Sequence, residues 1–261
     1  MRALNIAATG MAAQNTRVEV ISHNLANMST TAFSARRAEF SDLHYQQVQR
    51  PGAVNSADGT VLPAGVQLGL GVRSSAVSVQ IEQGTLAETG GALDLAIEGQ
   101  GYLEITLPNG DPAYTRDGAL KRNGDGLVVT SDGYAVVPDV TIPEDAREIT
   151  INAAGEVYAY FDGQTQAQLL GQFGVVSFSN EKGLEAVGSN LYLETEASGA
   201  PNAGTAGEDG RGTFRQGYLE NSSVDAVREI TNLIEAQRGY ELNAKVITAA
   251  DQMLAATTQI R

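Results

Sequence analysis

All seven prolines of this 261-residue chain lie between Pro51 and Pro201, and of its 29 glycines only Gly10 and Gly239 fall outside residues 51–217. Proline lacks the N–H that a helix interior needs, and glycine costs about 1 kcal/mol there relative to alanine. Long continuous helices are therefore permitted at the two ends, and the turns of the fold are confined to the middle.

Both ends carry a seven-residue period. Leu4, Met11, Val18 and Leu25 fall on one line, and Ala7, Gln14, Ile21 and Met28 on a second, which makes a nearly continuous seam over residues 3–28 with one polar interruption. Near the C-terminus Leu233, Tyr240, Ile247 and Leu254 form a matching line, flanked by Ile230, Ala244, Ala236 and Ala250, with Ser222 or Ser223 placed to cap its start. At ~1.5 Å per residue such helices are on the order of 40 and 50 Å long. An antiparallel pairing of the two ends accounts for one seam. Yet residues 1–16 contain a single charged side chain, Arg2, where an exposed helix usually carries Lys and Glu. A surface of Ala, Asn, Gln, Thr and Ser suits packing against further copies, and helices that gain little in isolation are expected to order on assembly.

The middle reads as β structure. Short β-prone runs stand at 102–107, 127–131, 134–137, 148–152, 156–161, 173–178 and 191–195, separated by turn signals such as Asn109-Gly110, Asp132-Gly133, Ala154-Gly155 and Asp162-Gly163. No helical period intervenes, so an antiparallel barrel or sandwich is expected. The fold class is α+β: long N- and C-terminal helices paired in one coiled-coil-like domain (1–40 plus 217–261), an extended connecting segment (41–74), and an inserted all-β domain (75–216).

Residues 1–50 hold five Arg against three acids and residues 218–261 four basic against six acidic, so the net charge of −14 resides in the middle. That balance opposes nucleic-acid binding, which needs a basic surface. No apolar run approaches the ~20 residues that span a bilayer, and no apolar core of a cleaved signal is visible near Met1. With no cysteine, thiol catalysis and thiolate metal sites are excluded. "GLGVRS" (69–74) and "GQGYLE" (99–104) lack the third glycine and following helix of a dinucleotide site, so close packing explains their glycines better. "KRNGDGLVVTSD" (121–132) resembles a calcium loop, but its first ligand position is Lys121, and a tight hairpin is the better reading. The two histidines, His23 and His44, sit far in sequence from the Asp- and Ser-bearing turns, and acid pairs such as Glu144-Asp145 and Glu208-Asp209 follow from composition. No catalytic, cofactor-binding or metal-binding set stands out. A carbohydrate-binding or carbohydrate-processing β protein with helical arms is the reading from another class.

Taken together, "ISHNLANMSTTAFSARRAEF" (21–40), centred on Asn24, Leu25, Ala26 and Asn27, with "LDLAIEGQGYLEI" (93–105), "YTRDGAL" (114–120), "SDGY" (131–134), "SNLYLET" (189–195) and the stretch 216–254, resembles flagellar rod and hook proteins. The motifs stand in the family's order and touch most of the chain. Residues 45–73 resemble the segment that sets distal rod subunits apart from proximal rod and hook subunits, and the length suits a rod subunit better than a hook subunit. Ala32 and Ser34 stand where Gly and Lys are usual, and His23 where Asn is usual. The first departure argues against a glycine-dependent turn at residue 32.

The resemblance implies a structural subunit, not an enzyme: one exported unfolded by the flagellar type III route, without a cleaved signal peptide, and polymerised beneath a rod cap into a hollow helical tube that crosses the periplasm. A proximal rod subunit is the alternative within the family. Implied partners are further copies, proximal rod and hook subunits and the basal-body rings, with no nucleic acid and no lipid insertion. Subunit packing falls to Leu4, Met11, Val18, Ile21, Leu25, Met28, Leu233, Tyr240, Ile247 and Leu254. An extended segment with Gln46, Arg50, Pro51, Gly52, Pro63 and Gly65 would reach an adjacent subunit.

Overall fold

The computed structural model of the chain describes residues 2–50, 64–163 and 166–259. Two helices flank a β-rich region: α1 spans Arg2–Ala26 and α2 spans Ala226–Gln259. The chain divides into two compact units. One comprises Met1–Ala26, Arg36–Ser78 and Asp225–Arg261, and the other Asn27–Ala35 and Val79–Val224.

In the first unit the helices pack against each other and run antiparallel. Gly10 lies against Asn243, Gln14 against Gly239, Arg17 against Glu235, and Asn24 against Glu229. Ala7, Ala13 and Ile21 of α1 are buried, as are Ala236 and Ala250 of α2. Small residues at the seam let the two backbones approach closely. The seam is shorter than the heptad period suggests. Helix α1 ends at Ala26, so Met28 falls in the following turn and is 49% exposed rather than continuing the apolar line. The cap of α2 also differs from the serine expected from sequence. Asp225 Oδ1 accepts hydrogen bonds from the Val227 and Arg228 N–H groups at 2.9 and 3.3 Å, which ties down donors that have no partner within the helix.

The same unit contains a two-stranded ribbon. Strands Arg36–Asp42 and Val72–Val79 are hydrogen-bonded neighbours, and beyond them Tyr45–Gln49 pairs antiparallel with Val66–Gly69. Two ties hold the ribbon along α1. The Asn24 side chain accepts from Arg36 N–H at 2.9 Å and donates to Arg36 C=O at 2.8 Å, and Val72 N–H donates to Thr9 Oγ1 at 3.3 Å. Fifteen helical residues cover roughly 22 Å and a seven-residue strand about as much, so the two attachment points are matched in length.

The second unit is antiparallel throughout its paired named strands. Its largest sheet has seven strands, in the order Glu185–Gly188, Leu191–Leu193, Pro112–Thr115, Leu103–Thr106, Ala135–Val137, Val128–Val129, Lys121–Arg122. A three-stranded sheet, Ala146–Ile151, Glu156–Phe161 and Gln168–Gln172, stands beside several two-stranded ones. Leu95, Ile97, Leu103, Ile105, Val136, Ile142, Val157 and Phe173 share one buried cluster, and Tyr102, Tyr114, Val176 and Phe178 a second. In the second, Phe178 meets Tyr114 and Tyr102 edge to face. Burial pushes the Tyr114 phenol up to about 12, with Glu104 and Glu194 adding to the effect.

Lys121–Arg122 and Val128–Val129 form the tight hairpin expected at the calcium-like sequence, with Asn123 Oδ1 accepting from the Asp125 and Leu127 N–H groups. Of the G-x-G glycines, Gly101 has φ +134, and a Cβ there would strike the Val175 side chain, so close packing explains it. Residue 32 departs from expectation. Ala32 takes φ +53 while its N–H donates to Glu220 C=O at 2.8 Å, so the left-handed turn forms without glycine.

Candidate assembly surface

The first unit holds both helices and the paired strands Tyr45–Gln49 and Val66–Gly69. Leu4, Met11, Val18 and Leu25 are half-buried along α1, Ile21 is buried, and Leu233 and Ile247 are half-buried on α2. Tyr240 is 46% exposed at the margin of the seam. Leu254 lies on the seam line yet remains 40% exposed. The register that sets Asn243 against Gly10 carries α2 past the first turn of α1 at about this point.

A second apolar face of α2 escaped the heptad reading. Val227, Ile230, Ile234, Leu242, Val246 and Met253 are all exposed. At about 100° per residue Val227, Ile230 and Ile234 point away from the Ala236, Gly239, Asn243 and Ala250 seam, while Leu242, Val246 and Met253 flank it on one side. Ile230, placed beside the seam from sequence, belongs to this outer face. The helix is apolar on two sides, and a 3.5-residue search along one line does not reveal the second.

In the hairpin, every residue of Tyr45–Gln49 is exposed, and Val66 and Leu68 are exposed on the paired strand. Gln46 lies within this ladder, paired with Leu68. Arg50 is exposed at its end and Gly65 precedes the return strand. Pro51, Gly52 and Pro63 lie outside the described residues.

The motif Asn24-Leu25-Ala26-Asn27 resolves into separate tasks. Asn24, only 2% exposed, replaces a peptide group for Arg36 and also donates to Glu229 at 3.4 Å. Leu25 packs half-buried and Ala26 ends the helix. Asn27 C=O accepts from Thr30 N–H, and its Oδ1 accepts from Thr30 Oγ1 at 3.2 Å, which starts the turn.

In the second unit a cavity of about 200 Å³ is bordered by Ser34, Val79, Gln83, Tyr102, Arg116 and Glu181. The polar groups beneath it are already committed. Arg116 donates to Glu220 Oε2 at 2.8 Å and to the carbonyls of Gly101 and Gly99, and Glu220 Oε1 accepts from Gly84 N–H. Gln83 spans Ile97 C=O and Gly99 N–H. Glu144-Asp145 and Glu208-Asp209 are exposed. Among the described residues no three His, Asp or Glu side chains gather as metal ligands, and no described helix is long and apolar enough to cross a membrane.

N- and C-terminal helices flanking an antiparallel β-rich region are the elements expected of a flagellar hook or rod protein, and sequence comparison shows that class. Residues 4–33 match the family "Flagella basal body rod protein", residues 96–159 "Flagellar hook protein FlgE/F/G D1 domain", and residues 215–260 "Flagellar basal body rod FlgEFG protein C-terminal". The chain is 54% identical to the flagellar basal-body rod protein FlgG of Caulobacter vibrioides over the full length of both chains. It is 50% identical to that of Agrobacterium fabrum over 97% of each, and 34% identical to the flagellar hook-basal body complex protein FlhP of Bacillus subtilis over the full length of both. The chain belongs to the FlgG family of flagellar basal-body rod proteins and is a structural subunit of the distal rod.

Proposed function

We infer that copies of this chain polymerise into a hollow helical tube that carries motor torque from the proximal rod to the hook. The observation that carries this reading is the outer face of α2: six large apolar residues are exposed on a helix whose seam side is already occupied by α1, and three of them, Val227, Ile230 and Ile234, point directly away from it. Burying such a face recovers roughly 25 cal/mol per Å², and neighbouring copies are the partners a polymer supplies. In this reading the helices pair as coiled-coil-like arms and form the inner layers of the tube. The antiparallel sheets close around their shared core as a barrel or sandwich and lie outermost.

Leu4, Met11, Val18, Ile21, Leu25, Leu233 and Ile247 then hold the arms together, while the exposed Met28 and Tyr240 meet a neighbour, along with the hairpin, and Leu254 packs at the end of the seam. Residues 46–65 stiffen the tube by reaching an adjacent copy. The excess of acids in the β unit faces the rings that surround the rod in the periplasm, where like charge limits sticking. Export follows the flagellar route without a cleaved signal, assembly occurs beneath a cap, and no catalysis or cofactor is involved. Deleting residues 46–63 tests the stiffening role. Electron microscopy should show a bendable, hook-like distal rod, and an unchanged straight rod would remove that role.

A further inference from the structure

The only two glycines outside residues 51–217 occupy equivalent places in the helix pair. Helix α1 carries Gly10 and, four residues on, Gln14; α2 carries Gly239 and, four residues on, Asn243. In the antiparallel pair each amide meets the other helix's glycine. A Cβ on Gly10 would lie 3.0 Å from the Asn243 amide atoms, and one on Gly239 would lie 3.1 Å from Gln14 Cδ. Asn243 Nδ2 also donates to Gly239 C=O at 3.0 Å, which links the two contacts. Gln14 Oε1 is buried with no hydrogen-bond partner, so this amide is retained at a cost to stability.

The rest of the seam is permissive. Ala7, Ala13, Ala236 and Ala250 are small and apolar, and fit many registers equally well. A buried polar group with a shaped receptor is a recognised way to fix register and partner. Direction follows from the geometry as well. In a parallel, in-register pair of two α1 helices Gly10 would meet Gly10 and Gln14 would meet Gln14, so neither amide finds a glycine. Copies in a helical polymer present their equivalent helices in the same direction, which makes parallel pairing the competitor.

We propose that Gly10, Gln14, Gly239 and Asn243 form one reciprocal docking unit that selects antiparallel α1–α2 pairing in a single register and rejects parallel pairing with the same helix of another copy. The register part stands on the helix pair alone; the rejected partner rests on the polymer reading.

The absence of cysteine makes the test clean. In the purified full-length chain, cysteines are placed at Arg17→Cys with Glu235→Cys (in register), at Arg17→Cys with Leu242→Cys (shifted by seven residues), and at Arg17→Cys alone. Each is treated with a short bis-maleimide. The parent lock should give an intrachain product for the first pair only. Gly239→Ala should lower that product by about tenfold, the change produced by overpacking one tight contact, and raise the shifted product or the 17–17 dimer. Adding Gln14→Ala, which relieves the clash but leaves alanine against alanine where the amide met its notch, should restore helix pairing without the single register, so that in-register and shifted products both form. If Gly239→Ala loses helix content, Gln14→Leu keeps the bulk, removes the amide, and should admit the shifted product. Identical patterns in parent, Gly239→Ala and Gln14→Leu would overturn the docking unit, as would a shifted product already present in the parent. A change in intrachain register without any 17–17 dimer would remove the intercopy role alone.

Discussion

Asn24 and Arg36 exchange two hydrogen bonds, the side-chain amide of one satisfying both backbone polar groups of the other at 2.8 and 2.9 Å. A strand edge is thereby bound to a helix as though the helix offered a further strand. Aspartate in place of Asn24 keeps the acceptor but loses the donor, and sets a second carboxylate against Glu229, 3.4 Å from the amide nitrogen. Asn24→Asp should cost about 2–3 kcal/mol in urea unfolding, while an exposed neighbour such as Ser22→Asp should cost little.

Ala32 adopts a left-handed conformation that an alanine methyl disfavours by about 1 kcal/mol. Ala32→Gly should raise stability by roughly that amount. A measured loss would mean that the burial of its methyl group outweighs the backbone strain.

Glu220 and Arg116 form an ion pair with side chains 6% and 9% exposed. Glu220→Gln retains an acceptor for Gly84 N–H but leaves a buried guanidinium without its counter-charge. The variant should be destabilised by about 3–5 kcal/mol. Conversely, breaking the exposed Arg147–Asp162 pair should change stability by less than about 1 kcal/mol.

Burial raises the Asp117 carboxyl above its ordinary range, with Asp132 and Asp94 adding to the effect and the Ala119 N–H and Lys121 opposing it. The folded chain therefore holds this proton more tightly than the unfolded chain does. Its contribution to stability is fully present below the unfolded value of about 3.9 and is lost as pH rises through the folded value. Asp117→Asn keeps the acceptor for Ala119 N–H and should remove that decline, read as a flatter profile of unfolding free energy against pH just above 4. An unchanged profile would place the proton elsewhere.

The helical ends were legible because the distribution of proline and glycine, and the heptad lines, are local properties. So was the strand Glu156–Phe161, which coincides with its predicted run between two glycine turns. The strands Arg36–Asp42 and Val72–Val79 were not: "RRAEFSD" and "VRSSAVSV" carry little apolar alternation and are ordered by each other and by Asn24 and Thr9, partners distant in sequence. The pairing of Tyr45–Gln49 with Val66–Gly69 was not legible for the same reason. Two serines drew attention from Asp225 as the cap of α2. Ser223 is instead occupied, its Oγ accepting from Ala35 N–H and its own N–H donating to Phe33 C=O. The outer face of α2 was missed because apolar residues there recur in a second sector, which a single line of heptads does not sample.

Assembly of the rod depends most on that outer face. The direct measurement is electron microscopy of basal bodies from cells whose only copy of this gene carries Ile234→Glu, compared with cells lacking the gene and with Glu235→Gln, a change on the same turn that leaves the apolar sector intact. Ile234→Glu should give short rods without the distal segment or hook, as in the gene's absence, and Glu235→Gln complete basal bodies. Complete basal bodies with Ile234→Glu would contradict the packing of this face between subunits.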